Sequence, residues 1–305
     1  MALDIRQRLA GKFRDLITEL PDRGGHQAAT LAVAASKGGV GKTTTAINVA
    51  LGFARRGLRV LIIDLDPQAH VGASLRAYTP AGMGFLSDVL MGRYREVLEV
   101  SYHSPCENLD ISGSDKTLAE TEMLLSTKIG KELLLDGALT ITRTHYDLIV
   151  LDCPPNLGTL TLNALCAADQ LLIPCDMSIL ALEGVGDMLL AVETLRTRLS
   201  RHIQVAGIVA TRVDARATRM NAEIEASFVD LFGDKLMATR IPQSSAINRA
   251  HLAGTPIYDF DRRSAGAVAY TKLVEELLGP LGLSTLPPSV GSSPITRTGS
   301  PNRAN

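Results

Sequence analysis

Between residues 36 and 44 the chain reads Ser36-Lys37-Gly38-Gly39-Val40-Gly41-Lys42-Thr43-Thr44. An apolar run, Leu31-Ala32-Val33-Ala34-Ala35, leads into it, and a helix-like run from Thr45 to Arg55 follows. A glycine turn between a strand and a helix aims several backbone N–H groups and a helix N-terminus at one point, which suits a chain of phosphates. The end of the stretch, Gly41-Lys42-Thr43, matches the end of the phosphate-binding pattern G-x-x-x-x-G-K-[ST]. In that pattern the lysine reaches the β- and γ-phosphates and the hydroxyl ligates Mg²⁺, roles that fall here to Lys42 and Thr43. The first glycine of the pattern is replaced by Ser36, and a second lysine, Lys37, stands inside the loop. No requirement of the turn explains Lys37.

Carboxylates recur where such a loop would need them. Asp64-Leu65-Asp66-Pro67-Gln68-Ala69-His70 follows the apolar run Val60-Leu61-Ile62-Ile63. Two acids at i and i+2 leaving a strand can both point toward a metal and a water. An acidic strand end before a proline turn would explain them equally well in isolation; their place after the strand that follows the loop's helix favours the metal reading. Tyr146-Asp147-Leu148-Ile149-Val150-Leu151-Asp152-Cys153-Pro154-Pro155 is an apolar strand ending in an acid. That is the pattern in which the carboxylate, here Asp152, holds Mg²⁺ through a water. Cys153 reads as a small buried residue.

The elements that must position these residues are legible from periodicity. Short apolar runs at 30–35, 59–64, 109–112, 146–152, 170–175, 203–210 and 236–240 alternate with helical stretches near 43–56, 84–91, 117–143, 158–168, 181–200, 218–232 and 264–279. Several of the runs are continuously apolar, as expected of strands buried on both faces of a parallel sheet. Strands separated by helices predict an α/β fold: a doubly wound, mostly parallel sheet with helices on both faces, of the P-loop NTPase kind. Ligands of such sheets bind at the carboxyl ends of the strands, where all of these motifs fall.

The expected organisation is a helical arm over 1–28, a P-loop domain over 29–280, and a disordered Ser/Pro-rich tail over 281–305. In the arm, Ile5, Leu9, Phe13, Leu16, Ile17 and Leu20 recur at helical spacing among Arg6, Arg8, Lys12 and Arg14. The tail has too little apolar surface to offset its chain entropy. Hydrophobic residues at 46% supply a core, while a net charge of −1 gives no global signal for nucleic acid, so any such binding needs a local patch. One candidate patch is 194–220, where Arg196, Arg198, Arg201, Arg212, Arg216 and Arg219 face the single acid Asp214. A solvated helix face is the plain alternative. Without tryptophan, base stacking is not expected, and binding would follow the phosphate backbone. Four cysteines without C-x-x-C spacing fit a reduced cytoplasmic setting, and no apolar run is long enough for a membrane span.

The loop resembles the deviant P-loop of the ParA/MinD ATPases, whose signature is K-G-G-x-G-K-[ST]. Asp64-Leu65-Asp66-Pro67-Gln68 is similar to that family's first switch, D-x-D-P-Q, and Pro154-Pro155-Asn156-Leu157-Gly158 to its second. The likeness continues through Ala250-His251-Leu252-Ala253-Gly254-Thr255-Pro256-Ile257 and spans about residues 30–278. The resemblance implies ATP and Mg²⁺ as cofactors, with Lys37, Gly38, Gly39, Val40, Gly41, Lys42, Thr43 and Thr44 around the phosphates. It implies Thr43, Asp64 and Asp152 at the metal, and Lys37, Lys42 and Asp66 as the catalytic set, Asp66 positioning the water. Arg212 and Pro242 would border the adenine. An ATP-dependent homodimer is implied, in which Lys37 reaches the partner's phosphates. So are non-specific double-stranded DNA, met by Arg216, Arg219, Arg249, Arg262 and Arg263, a ParB-like or other activating partner, and a cytoplasmic, nucleoid-associated location. The family's I-P-R-N-x-R segment is here Ile241-Pro242-Gln243-Ser244-Ser245-Ala246, without its arginines. A MinD-like switch at the membrane is the alternative, disfavoured by the Ser/Pro-rich C-terminus.

Overall fold

The computed structural model describes residues 26–214 and 218–283. The expectations for the arm before residue 26, for the tail after 283 and for Arg216 lie outside these residues. Eight strands form one sheet in the order β3-β4-β2-β5-β1-β6-β7-β8: β1 (Ala29–Val33), β2 (Val60–Asp64), β3 (Ser101–His103), β4 (Leu109–Ser112), β5 (Leu148–Asp152), β6 (Gln170–Asp176), β7 (Gln204–Val213) and β8 (Leu236–Pro242). All pair in parallel except β3, which closes one edge antiparallel to β4. Being three residues long, β3 carries no periodicity to read and was not expected from the sequence.

Successive side chains of a strand point to opposite faces, so each strand feeds two cores. Leu31, Val33, Ile62, Val150 and Val209 pack under α1 (Lys42–Ala54), together with α9 (Ser245–Ala253), α10 (Ile257–Phe260) and α11 (Ala265–Leu277). Ala32, Leu61, Ile63, Ile149, Leu151 and Ile208 pack on the other face under α4 (Thr117–Leu125), α6 (Thr159–Ala167), α7 (Ile179–Leu199) and α8 (Thr218–Phe232). The short helices α2 (His70–Ser74), α3 (Leu86–Leu90) and α5 (Leu134–Gly137) lie in the connections. This is the doubly wound arrangement the alternation predicts. Core packing continues through the buried Leu281 and Leu283, three residues into the stretch read as tail.

One helix differs. The stretch 117–143 is not continuous: α4 stops at Leu125, Gly130 turns the chain at φ 71, and single turns follow. Ser126 and Thr127 donate their hydroxyls back to the carbonyls of Met123 and Leu124, a local bond that competes with helix continuation. Asn163 of α6 then takes the broken backbone, accepting from Leu135 N and donating to Lys131 O. Leu118, Leu125, Leu135 and Leu139 are all buried, which is why the periodicity suggested one helix. No helix among the described residues is long and apolar enough to cross a membrane.

Candidate functional site

The carboxyl ends of β1, β2, β5, β6 and β7 meet at the loop 34–41. Gly39 and Gly41 adopt φ 75 and φ 83, left-handed conformations that favour glycine, and they let the chain wrap before entering α1. The first bond of α1 runs from Thr45 N to Gly41 O at 2.8 Å. No side chain caps α1 and no acid lies in its first turn, so its leading N–H groups remain available to an anion. Lys42 is buried, and its ammonium donates to Lys37 O at 2.8 Å across the mouth of the loop. Burial pulls its pKa down, against the opposing charges of Asp152 and Asp66.

Asp64 and Asp152 end adjacent strands and are register partners, both fully buried. Asp64 is anchored by two backbone donors, Asp66 N at 3.0 Å and Val71 N at 3.1 Å. Burial nevertheless pushes its carboxyl up to about 7, with the Asp66 charge adding to the shift. Both oxygens of Asp152 lack a hydrogen-bond partner. Burial and the charge of Asp64 raise its pKa well above the ordinary carboxylate range, while the nearby Thr43 hydroxyl acts the other way. Two buried carboxylates side by side, one with orphaned oxygens and a hydroxyl close by, form an all-oxygen donor set that suits Mg²⁺. Asp66 is also buried, and its Oδ1 accepts from Gln68 N at 2.9 Å, which fixes the start of the first switch. Cys153 is buried and donates weakly to Leu151 O, and burial raises its thiol pKa, consistent with an inert packing role.

Two cations sit on the outer rim. Lys37 Nζ lies 2.8 Å from Asp176 Oδ2 at the end of β6. Burial alone would raise the Asp176 carboxyl, but the bonds from Lys37 and Ser178 outweigh it and hold the pKa below the ordinary range. Arg212, expected to border the adenine, donates from Nη1 to Gly39 O at 2.8 Å, from a backbone at φ 53. Its neighbour Thr211 donates to Val40 O at 2.8 Å and Cys175 O at 3.0 Å. Thr211 and Arg212 thus brace the carbonyls of Val40 and Gly39 in the loop. Pro242 ends β8 opposite Val213, so it shares the rim with Arg212.

The basic run over 194–220 does not form one surface. Arg196 pairs with Glu193 and Arg201 with Asp136 at the amino end of β7, whereas Arg212 lies at its carboxyl end. Ten strand residues at ~3.3 Å each separate the two groups by roughly 30 Å. Arg219 falls in the first turn of α8. Arg249 on α9 and Arg262 and Arg263 before α11 are exposed, and Arg249 stacks over Phe260 with its guanidinium carbon 5.8 Å from the ring centre. α9 packs against α2, the helix directly after the first switch, with Ser74 Oγ and His251 Nδ1 3.0 Å apart. Asp176 and Ser178 were missed by sequence reasoning. The signal for Asp176 was available, since it ends an apolar strand just as Asp64 and Asp152 do.

An AAA domain family matches residues 28–205, from the start of β1 to the start of β7. The sporulation initiation inhibitor protein Soj of Bacillus subtilis is 35% identical over 247 residues, covering 81% of this chain and 97% of that protein. The chain belongs to the Soj/ParA family of partitioning ATPases. The chromosome partitioning protein ParA of Caulobacter vibrioides is 34% identical over 250 residues, 81% of this chain and 93% of its own length. Among solved structures, cobyrinic acid a,c-diamide synthase from Mycobacterium smegmatis, with a bound ATP analogue and magnesium, superposes with a TM-score of 0.71 at 29% identity. It covers 82% of this chain and 94% of that one. Within this ParA-family chain the loop and the acids Asp64, Asp66 and Asp152 fall inside the matched AAA segment, while Arg212, Pro242 and the exposed arginines lie beyond it.

Proposed function

We propose that the chain is a Mg²⁺-dependent ATPase switch that dimerises with ATP, binds double-stranded DNA without sequence preference as the dimer, and releases it on hydrolysis stimulated by a ParB-like or other partner. The observation that carries the reading is the pair Asp64 and Asp152, buried in register beside a pre-formed phosphate loop, with Asp152's oxygens unpartnered. Bound Mg²⁺ would screen the charge of the transferring phosphoryl group, held by the Thr43 hydroxyl with Asp64 and Asp152. The backbone from Lys37 to Thr44 cradles the phosphates. Lys42 leaves Lys37 O to neutralise the β- and γ-oxygens. Asp66, fixed by Gln68 N, orients the attacking water in line with the γ-phosphate. Pro242, and Arg212 through its hold on the loop, border the nucleotide. Lys37 reaches the phosphates of the second subunit, which ties dimerisation to ATP.

DNA contact is assigned to Arg216, Arg219, Arg249, Arg262 and Arg263. The contact of α9 with α2 supports this, because it links a helix bearing Arg249 to the first switch. The DNA-bound dimer would place the protein on the nucleoid, where cycles of binding and release position a chromosome, plasmid or protein cluster. Co-sedimentation with plasmid DNA is the test. Wild type with Mg²⁺ and ATP is expected to pellet with DNA, less so as salt rises, and Lys37→Ala and Arg249→Glu are expected to lose most of that binding. Binding that is the same with ADP as with ATP, or intact in Lys37→Ala, would refute the switch.

A further inference from the structure

Lys37 is held at both ends. Its carbonyl accepts from Lys42 Nζ at 2.8 Å, and its ammonium lies 2.8 Å from Asp176 Oδ2. Asp176 is itself fixed: Ser178 Oγ donates to its other oxygen at 2.7 Å, and the same Ser178 side chain caps α7 by accepting from Ala181 N at 3.2 Å. The carboxylate is therefore oriented by the start of a 21-residue helix and does not swing freely. The pair spans 139 residues of sequence and joins the loop to the end of β6, two strand ends that meet because β6 lies beside β1. Side-chain exposures of 39% for Lys37 and 31% for Asp176 leave the pair accessible to a competing anion from outside the subunit.

We propose that Asp176 is a latch on Lys37: it holds the lysine within its own subunit, and the γ-phosphate of a second subunit must displace it for the ATP dimer to form. The proposal rests on the dimer reading above and names a regulator of the same site. Asp176 is a positioning residue and touches no nucleotide. Filling the loop with nucleotide draws Lys42 toward the phosphates and frees the Lys37 carbonyl, which loosens the first anchor. The second anchor is then exchanged for a doubly charged phosphate, a stronger partner for the ammonium than one carboxylate. The latch thus penalises dimers that lack a γ-phosphate, because they break the Lys37–Asp176 pair and put nothing in its place.

A half-exposed ion pair contributes about three- to fivefold to an equilibrium, and each dimer opens two, so their loss tightens association by roughly tenfold or a little more. The experiment is sedimentation velocity of the full chain with Mg²⁺ and a non-hydrolysable ATP analogue, comparing wild type with Asp176→Asn. The variant is expected to lower the dimer Kd by about tenfold, with the difference shrinking at high salt. It is also expected to show some dimer with ADP where wild type shows none. The double variant Lys37→Ala, Asp176→Asn is expected to remain monomeric, which separates release of Lys37 from any new contact made by the asparagine. Fluorescent ADP binding and a thermal melt confirm that each variant is folded. A dimer constant equal to or weaker than wild type in folded Asp176→Asn overturns the latch and leaves the dimer standing. A wild type that stays monomeric with the ATP analogue overturns the dimer reading, and the latch with it.

Discussion

Asp152→Asn is expected to stabilise the metal-free protein at neutral pH while removing its response to Mg²⁺. Asp64 and Asp152 end neighbouring strands in register, which places their charges ~5 Å apart. At an effective dielectric of about 20, two unit charges at that distance repel by about 3 kcal/mol. The protein relieves this by taking up a proton: burial holds Asp64 up at about 7, from 3.8. The sign follows from linkage. A carboxyl whose folded pKa is raised binds its proton more tightly in the folded state, so its contribution is full below the unfolded value and is lost as pH rises through the folded one. The metal-free chain should therefore lose stability between about pH 4 and pH 7, by at most about 4 kcal/mol from this group. Asparagine at 152 removes the carboxyl whose pKa burial and the Asp64 charge hold well above the ordinary range, so its share of the pH slope disappears and the slope flattens, while the burial-driven step of Asp64 stays. Urea melts in EDTA across that window provide the assay, with an expected gain for the variant of about 1–3 kcal/mol at pH 7.5. Added Mg²⁺ with ATP should stabilise wild type and not the variant. A variant less stable than wild type at pH 7.5, or one with an unchanged slope, would show that the two carboxylates do not share a field.

Substitutions at two further positions probe the loop. Gly41→Ala meets no atom within 4 Å but imposes a Cβ on a backbone at φ 83, so its cost, about 1–2 kcal/mol, comes from conformation and not from a clash; thermal melting should show that loss, and fluorescent ATP titration a marked drop in affinity. At φ 53 Arg212 carries the same strain while its guanidinium braces Gly39 O. Arg212→Gly should therefore melt higher than Arg212→Ala by about 1 kcal/mol while both bind nucleotide several-fold more weakly than wild type, and equal melts would argue against backbone strain there.

Much of the chemistry was legible because it is local. Lys37 to Thr44 needs only a strand before it and a helix after it, and both are written in adjacent residues. Asp64 and Asp152 are recognisable because continuous apolar runs mark strands buried on both faces, and a charge at the end of such a run must find a partner. The alternation of these runs with helical stretches predicts the doubly wound sheet. The helix over 117–143 misled for the same local reason: its buried leucines keep their spacing, while the hydroxyls of Ser126 and Thr127 and the turn at Gly130 break the backbone.

What the sequence by itself could not determine is which strand ends meet. Periodicity sets a strand's burial and not its neighbours, and here β5 and β6 flank β1 although more than a hundred residues separate them from it along the chain. Only that order sets Asp64 against Asp152, puts Asp176 within reach of Lys37, and brings Arg212 onto Gly39 O. It also divides the arginines around β7, which look like one patch in the sequence, between opposite ends of a ten-residue strand. Contacts across parallel strand ends depend on the long-range packing of two cores, and no short stretch of sequence carries that information.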